Sequence, residues 1–230
     1  MKLKRLLEFH KTPSFKDLKM FDDRTDAGQQ LGEALSEYRG SDALVLAIPR
    51  GGVEVGYQVA EKLKIPLSIV IVRKLPLPYN PEAGFGAIAE DGSTFFVERV
   101  YNQIGAESAE KVIEEQKQEL KRRIKVLRGG NPLPEIAGKT VILVDDGIAM
   151  GSTMRAAVTL CRNKKAKKIV VAVPVTGPAT AEELAEIVDD VVILEKPPFF
   201  RAVAQVYWDW YDVGDDEVID IMHGRKQLRK

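Results

Sequence analysis

The sequence has little of what disulfide-bonded, zinc-binding or membrane-spanning proteins require. Its single cysteine, Cys161, excludes an intramolecular disulfide. Its two histidines, His10 and His223, lie near opposite ends of the chain, so the Cys/His cluster of a structural zinc site is missing. No run approaches the roughly 20 apolar residues of a membrane span, and no apolar stretch long enough for a signal peptide follows Met1. We therefore expect a cytoplasmic protein with no membrane partner.

Charge of one sign is not in excess either. The chain has 34 Lys and Arg against 34 Asp and Glu, which gives a net charge of zero. That balance disfavours a protein built to coat nucleic acid or a membrane surface, because both tasks need excess positive charge. The 230 residues are 45% hydrophobic and 30% charged, which is typical of a globular protein with one domain.

Short apolar runs alternate with helical patterns along the chain. The runs are rich in Val, Ile and Leu, as in strands that are buried on both faces of a parallel sheet. They lie at Ala43–Ile48, Leu67–Val72, Val141–Val144, Ile169–Val173 and Val191–Leu194. The helical patterns lie at Thr25–Tyr38, Val53–Leu63, Ala106–Leu127, Thr153–Asn163 and Ala179–Ile187. This alternation predicts an α/β fold, with a Rossmann-like parallel sheet flanked by helices.

An insertion is predicted after the second strand. Residues 87–89 and 94–97 have the pattern of a hairpin whose turn is Glu90-Asp-Gly-Ser93. The preceding segment, Arg73–Phe85, holds Pro and Gly residues, and we expect it to be too irregular for a helix or strand.

The most informative stretch runs from Val141 to Thr153. Its apolar strand ends at two carboxylates, Asp145 and Asp146, and a loop of small residues leads into the next helical pattern. Open α/β sheets place their ligands at the C-terminal ends of such strands. Glycines let backbone N–H groups close around an anion, and the dipole of the following helix adds positive charge. Carboxylates accept hydrogen bonds from sugar hydroxyls, so the pattern indicates a site for a phosphorylated sugar.

The same stretch resembles the 5-phosphoribosyl-1-pyrophosphate (PRPP) motif of type I phosphoribosyltransferases, in which hydrophobics precede acid-acid-x-x-x-Thr-Gly-x-Thr. The resemblance implies that Asp145 and Asp146 are catalytic residues that hold the ribose hydroxyls. The loop that it implies around the 5′-phosphate is formed by Gly147, Ile148, Ala149, Met150, Gly151, Ser152 and Thr153. Met150 departs from the motif, because the family usually has Thr there, and a hydroxyl donor worth roughly 0.5–1.5 kcal/mol is lost. PRPP synthases and PRPP-sensing regulators have the motif too.

A second candidate loop follows the first strand. Its residues are Pro49, Arg50, Gly51 and Gly52, and adjacent glycines permit backbone conformations closed to other residues. The Arg50 guanidinium and exposed N–H groups suit a diphosphate, although an ordinary tight turn would use the same glycines. The resemblance implies that this is the pyrophosphate loop. Neither the Lys-Ser/Thr of a P-loop nor the Gly-x-Gly-x-x-Gly of dinucleotide-binding proteins is present here.

Two cations, Arg73 and Lys74, end the second strand. The resemblance implies that they are catalytic and neutralise the leaving pyrophosphate, while solvated strand-end charges are the alternative interpretation. It also implies that Leu75–Glu90 is a flexible loop that closes over the reaction. Three of its residues are candidates to enter the closed site: Tyr79, Asn80 and Glu82.

The start of the chain extends the resemblance. Phe21–Gly28 is similar to the opening of a poorly characterised phosphoribosyltransferase subgroup. Asp22 or Asp23 is a candidate helix N-cap there, while the role of Arg24 is left open.

The resemblance also implies the domain organisation. It gives one phosphoribosyltransferase domain over residues 1–230, with a core at about 40–195 and a small hood made from both chain ends. In that hood Phe199 or Phe200 would stack on the acceptor base, although an aromatic cluster more often lies in a core or a dimer contact. Family members commonly pair, so a homodimer is expected.

The reaction implied by the resemblance belongs to nucleotide and nucleoside metabolism. A nitrogenous base or related acceptor takes the phosphoribosyl group of PRPP and pyrophosphate leaves, with Mg²⁺ held mainly by PRPP and in part by Asp145 and Asp146. Ala149 stands where hypoxanthine- and guanine-type members have Asp, which disfavours a 6-oxopurine acceptor. The alternative is a PRPP- or nucleotide-sensing regulatory protein that retains the site without catalysis. A PRPP synthase ranks third, because those enzymes have two similar lobes and are longer.

Overall fold

The computed structural model describes residues 19–224. His10 and the first residues, which the sequence analysis used to argue against a zinc site and a signal peptide, lie outside this part. The strands in this range are Leu44–Ala47 (β1), Leu67–Ile69 (β2), Val72–Leu77 (β3), Asn80–Ala89 (β4), Thr94–Phe96 (β5), Thr140–Val144 (β6), Lys168–Val175 (β7) and Asp190–Glu195 (β8). The helices are Arg24–Ala34 (α1), Gly51–Leu63 (α2), Glu98–Ile104 (α3), Ala106–Arg128 (α4), Ser152–Asn163 (α5), Pro178–Ala185 (α6) and Asp215–Met222 (α7).

A five-stranded parallel sheet forms the centre of the protein, in the order β2-β1-β6-β7-β8. Alternate residues of its strands point to opposite faces. Val45 and Ile142 pack with residues of α1 and α2 on one face. Leu46 and Leu143 pack with residues of α5 and α6 on the other. Because both faces are covered, the central strands are apolar at nearly every position.

The predicted fold class is confirmed, and each predicted strand and helix has a counterpart in the structure. The second predicted strand is shorter than expected, because β2 ends at Ile69. The prediction that Arg73 and Lys74 end this strand is therefore wrong, since both lie within β3. The first helix ends at Ala34 and is followed by a 3-10 turn at Ser36–Tyr38. Asp23 is its N-cap, since its side chain accepts the N–H of Asp26 at 2.8 Å. The helices α3 and α7 have no counterpart among the predictions.

A second, antiparallel sheet, β3-β4-β5, follows β2. The prediction that Arg73–Phe85 is too irregular for a strand is wrong, because β3 and β4 cover all of it except the turn between them. β3 is an edge strand, where Pro is tolerated, and the register shifts on both sides of Pro76 absorb the irregularity. The segment expected as a flexible loop, Leu75–Glu90, is thus mostly hairpin, and Tyr79 at its tip is 99% exposed.

The segment before α1 meets the segment after β8 through Phe21 and Tyr207. Their backbones form an isolated parallel bridge and their ring centroids lie 5.6 Å apart. The N–H groups of Met20 and Phe21 both donate to the carbonyl of Val206. This aromatic cluster packs on Val175, the last residue of β7. Both segments therefore lie at the carboxyl edge of the parallel sheet.

None of the helices between residues 19 and 224 combines the length and the apolar composition that a membrane span needs.

Candidate active site

The turn after β1 lies directly against the acidic pair after β6. The two strands are neighbours, so their carboxyl ends meet at one edge of the sheet. A methyl group on Gly51 would overlap Oδ2 of Asp146, and one on Gly52 would lie 2.9 Å from Oδ1 of Asp145. Only glycine leaves room for this approach. The structure thus brings together the Gly51–Gly52 turn and the acidic pair, which are about 90 residues apart in sequence.

The two carboxyl groups of the acidic pair are largely buried. Oδ1 of Asp145 accepts the N–H of Asp146 at 2.9 Å, and the Asp146 side chain is 14% exposed, so a ligand can still reach it. Burial raises the pKa of Asp145 well above its ordinary value, and the negative charge of Asp146 raises it further. Burial also raises the pKa of Asp146, and Arg24 opposes that rise. The pair is therefore arranged for a ligand that supplies hydroxyl donors or positive charge.

Arg24, the first residue of α1, is the main site residue to which the sequence assigned no role. Its Nε donates to Oδ2 of Asp146 at 2.8 Å, and its Nη1 donates to the Tyr211 carbonyl at 3.0 Å. The guanidinium lies 4.0 Å from the ring centroid of Trp210 and is 4% exposed. The stacking and the ion pair fix the position of the guanidinium, which in turn fixes the Asp146 carboxylate.

Further polar groups surround this ion pair. The Tyr207 hydroxyl donates to the backbone carbonyl of Asp146 at 2.6 Å. The Glu54 carboxylate lies 3.5 Å from Nη1 of Arg24 and accepts the Tyr211 hydroxyl at 2.8 Å. Burial raises the pKa values of both tyrosines, so both stay neutral hydrogen-bond donors at ordinary pH. Tyr207 and Tyr211 thereby hold the acidic pair and its Arg24 partner in place.

The predicted phosphate loop, Gly147–Thr153, follows the acidic pair after β6 and includes the first two residues of α5. The helix begins at Ser152, directly after Gly151, whose φ of 77° lies in the left-handed region that favours glycine. Met150 is 72% exposed and provides no hydroxyl. Loop amides at the start of a 12-residue helix form a candidate anion site.

The candidate cations Arg73 and Lys74 differ in their surroundings. Arg73 is half-buried, and its Nε donates to Oε1 of Gln116 on α4 at 3.2 Å. Burial lowers the pKa of the Arg73 guanidinium, and the positive charge of Arg123 lowers it further. Lys74 is exposed, and its Nζ donates to the Glu82 carbonyl across the hairpin at 2.9 Å. Arg73 thus faces α4, while Lys74 lies along the hairpin.

Arg50 and Arg122 lie on either side of the Asp215 carboxylate. The peptide bond between Pro49 and Arg50 is cis, and Nη1 of Arg50 lies 3.9 Å from Oδ1 of Asp215 on α7. The other oxygen of Asp215 lies 3.9 Å from Arg122 of α4. The sequence places no site residue on α4 or α7, and only their packing shows that they approach the candidate pyrophosphate loop.

The segment after β8 lies over the loop that follows β6. A methyl group on Gly147 would lie 2.8 Å from a methyl group of Val203. Phe200 packs in the cluster of Phe21 and Tyr207, whereas Phe199 is 64% exposed. Of the two predicted stacking residues, Phe199 is therefore the one with an open ring face.

Comparisons with known proteins agree with this geometry. The family model described as "Phosphoribosyl transferase domain" matches residues 19–210, a range that includes both loops, the acidic pair and Arg24. Two proteins from Mycobacterium tuberculosis, strains CDC 1551 / Oshkosh and ATCC 25618 / H37Rv, have names that assign them provisionally to the phosphoribosyl transferases. Each is 41% identical to this chain over 204 residues, which is 88% of this chain and 46% of the relative. The chain thus spans about half the length of these curated relatives.

A solved structure is similar over nearly the whole chain. The crystal structure of the protein TT1426 from Thermus thermophilus superposes with a TM-score of 0.75 at 35% sequence identity. The match covers 90% of this chain and 100% of that one.

Proposed function

This chain belongs to the phosphoribosyltransferase family, and from that premise we propose that it transfers the 5-phosphoribosyl group of PRPP to a nitrogenous acceptor with release of pyrophosphate. The observation that carries the proposal is the contact between the Gly51–Gly52 turn and the Asp145–Asp146 pair. A diphosphate and a ribose are joined through one atom, C1, so a PRPP site needs its diphosphate loop and its ribose carboxylates within a few ångströms of each other.

Each part of the site has a proposed role. The carboxylates of Asp145 and Asp146 accept hydrogen bonds from the ribose 2- and 3-hydroxyls. The loop Gly147–Thr153 binds the 5′-phosphate through its amides and the hydroxyls of its last two residues. The turn Pro49–Gly52 binds the diphosphate, and Arg73 and Lys74 neutralise it from the hairpin side.

Bond making and bond breaking occur at C1 of the ribose. A ring nitrogen of the acceptor forms the new C–N bond as the C–O bond to pyrophosphate breaks, and the bonding electrons leave with the pyrophosphate oxygen. Positive charge develops on the ribose and negative charge on the leaving group. The site stabilises both, with carboxylates under the ribose and guanidinium groups at the diphosphate, and it holds the reactants in line.

The donor set suits Mg²⁺, the ion that the family implies. Asp145 and Asp146 offer carboxylate oxygens, the hard ligands that Mg²⁺ prefers, and their raised pKa values mean that a nearby cation would stabilise their ionised forms. Within residues 19–224 no group of three or more His, Cys, Asp or Glu side chains is placed to hold a metal. Mg²⁺ would therefore need the oxygens of PRPP to complete its coordination, and it would offset the charge of the diphosphate when bound.

The acceptor is a base other than a 6-oxopurine in this proposal. Ala149 offers no carboxylate to a purine ring proton, and the exposed Phe199 provides a ring face on which an acceptor can stack. Met150 leaves room for the second function, a PRPP- or nucleotide-sensing protein, because it removes one phosphate hydroxyl from the site. The single domain, the homodimer and the cytoplasmic location stay predictions of the sequence.

Pyrophosphate release separates these functions. The protein is incubated with PRPP and Mg²⁺ and a panel of purines, pyrimidines and small aromatic acceptors. The test variant is Asp145→Asn with Asp146→Asn, and the matched control is Asp42→Asn with Asp212→Asn, which changes the net charge equally at two exposed positions. Release with one acceptor, retained in the control and lost in the test variant, is the expected result. PRPP binding without release from any acceptor would favour the sensing function, and no PRPP binding would overturn both.

A further inference from the structure

Three consecutive carbonyl groups in the loop after β6 accept hydrogen bonds from side chains outside the loop. The Ile148 carbonyl accepts the Thr176 hydroxyl at 2.8 Å. The Ala149 carbonyl accepts the Thr180 hydroxyl at 3.3 Å. The Met150 carbonyl then accepts Nη1 of Arg155 at 2.7 Å. The three donors come from the residue directly after β7, from α6 and from α5.

These bonds fix the direction of three amide groups. In a trans peptide the N–H of one residue points opposite to the carbonyl of the residue before it. The peptides concerned are trans, since the cis peptide of the described chain lies at Pro49. The N–H groups of Ala149, Met150 and Gly151 therefore each point away from the donor that binds the preceding carbonyl. Among the described residues, none of the three donates a hydrogen bond to a protein acceptor.

Two of the three donors are themselves buried. Thr176 is fully buried. Arg155 is 8% exposed, its other terminal nitrogen binds the Glu183 carboxylate, and its guanidinium lies 5.1 Å from the ring centroid of Phe95. A buried guanidinium that is paired and stacked cannot follow a moving loop, so the loop follows the guanidinium.

We propose that Arg155, Thr176 and Thr180 are positioning residues that hold three loop amides toward the phosphate of a phosphorylated ribose. The inference rests on the proposed function, and it assigns the loop's order to side chains that do not touch the ligand. It also accounts for Met150: because the backbone is fixed from outside, the loop keeps its amide donors without the Thr that the family motif has at this position.

Binding of ribose 5-phosphate, followed by ¹⁵N–¹H NMR without metal, tests the inference directly. In the wild type the amide signals of Ala149, Met150 and Gly151 should shift on titration. Arg155→Met should raise the Kd about tenfold, the loss expected when one charge-assisted hydrogen bond that orders the loop is removed, and Arg155→Lys should recover part of the affinity. The matched control is Arg162→Met on the same helix, whose guanidinium binds the carbonyl of Ile187 away from the loop.

The threonines allow a second matched pair of variants. Thr176→Val keeps the shape of the side chain and removes the hydroxyl, whereas Thr176→Ser keeps the hydroxyl. We expect weaker binding in the first and near-normal binding in the second, with a rise in the KM for PRPP and an unchanged kcat if transfer is detected.

Equal affinity in Arg155→Met and Arg162→Met, or in the two Thr176 variants, would overturn the inference while leaving the proposed function in place. Amide signals that do not move in the wild type would also overturn it. Binding that behaves as expected in a protein that releases no pyrophosphate would overturn the proposed reaction alone.

Discussion

Arg24 and Asp146 form an ion pair across 122 residues of sequence, with Nε and Oδ2 2.8 Å apart. The guanidinium is shielded by Trp210 on its face and held by the Tyr211 carbonyl. The Asp146 carboxylate, which we propose binds the ribose, is thus kept in one orientation by this partner.

Replacing Arg24 by Met should destabilise the protein. The substitution leaves the largely buried Asp146 carboxylate without its partner, and breaking a buried pair from one side costs about 3–5 kcal/mol. Urea unfolding at pH 7 in metal-free buffer measures the loss. Adding Asp146→Asn to Arg24→Met should restore part of the stability, because the Asp146 charge is then removed as well, while the Glu54 carboxylate still loses the guanidinium that lay 3.5 Å away. Additive effects of the two substitutions would show that the ion pair has no energetic coupling.

Gly51→Ala should impair both folding and PRPP binding. The added methyl group overlaps Oδ2 of Asp146, and relief of such overpacking costs about 1–3 kcal/mol and displaces the carboxylate. The control is Gly177→Ala, where the methyl group meets nothing within 4 Å and φ is −69°. Thermal unfolding and PRPP titration of the two variants check this, and equal behaviour of both would contradict the close approach.

Glu119 should make the stability depend on acid pH. A hydrogen bond from Arg122, and next to it one from Arg123, outweigh burial and lower the pKa of Glu119 to about 2. Because the folded pKa is depressed, the stabilisation is present above the ordinary pKa of about 4.5 and is lost as pH falls toward 2. Glu119→Gln should cost about 1–2 kcal/mol at pH 7, after allowance for its 26% exposure, and little at pH 2.5. Urea unfolding at both pH values measures this.

The control for Glu119 is Glu114→Gln on the same helix. Glu114 is exposed, so its substitution should leave stability nearly unchanged at both pH values. A loss in Glu119→Gln that stayed constant between pH 7 and pH 2.5 would rule out titration as its cause.

The Cys161 thiol should be inert in the folded protein. It lies on α5 and is buried in the core, and burial raises its pKa to about 12, so almost no thiolate forms at pH 8. A chromogenic disulfide reagent should titrate no thiol in native protein and one thiol per chain in 6 M guanidinium chloride. Rapid reaction of the native chain would contradict the packing around α5.

The sequence alone was sufficient to predict those parts of the site whose residues are adjacent along the chain. A run such as Val141–Val144 identifies a buried strand, and the ligand end of a parallel strand is known once its direction is known. The residues directly after β1 and β6 could therefore be predicted to meet. The strand pattern indicated the sheet edge on which these residues lie. The family resemblance then implied the role of each residue.

The parts that the sequence could not supply depend on long-range packing. Nothing in the local pattern around Arg24 indicates that its partner is Asp146, and the aromatic residues that enclose it look like ordinary core. The β3–β4 hairpin was hidden for another reason. Pro76 weakens a central strand but is tolerated at an edge, and whether a strand is an edge is decided by the whole sheet.

The packing of the aromatic segment after β8 against Arg24 of α1 has a consequence for synthesis. The ribosome releases the N-terminal part of a protein first, and Arg24 is made 122 residues before Asp146 and 187 residues before the carbonyl of Tyr211 that holds it. A nascent chain that has already formed every strand from β1 to β8 therefore still lacks the Trp210 ring and the Tyr211 carbonyl that hold the Arg24 guanidinium beside Asp146. The enclosure of this ion pair is completed only when the aromatic segment after β8 emerges and packs against α1.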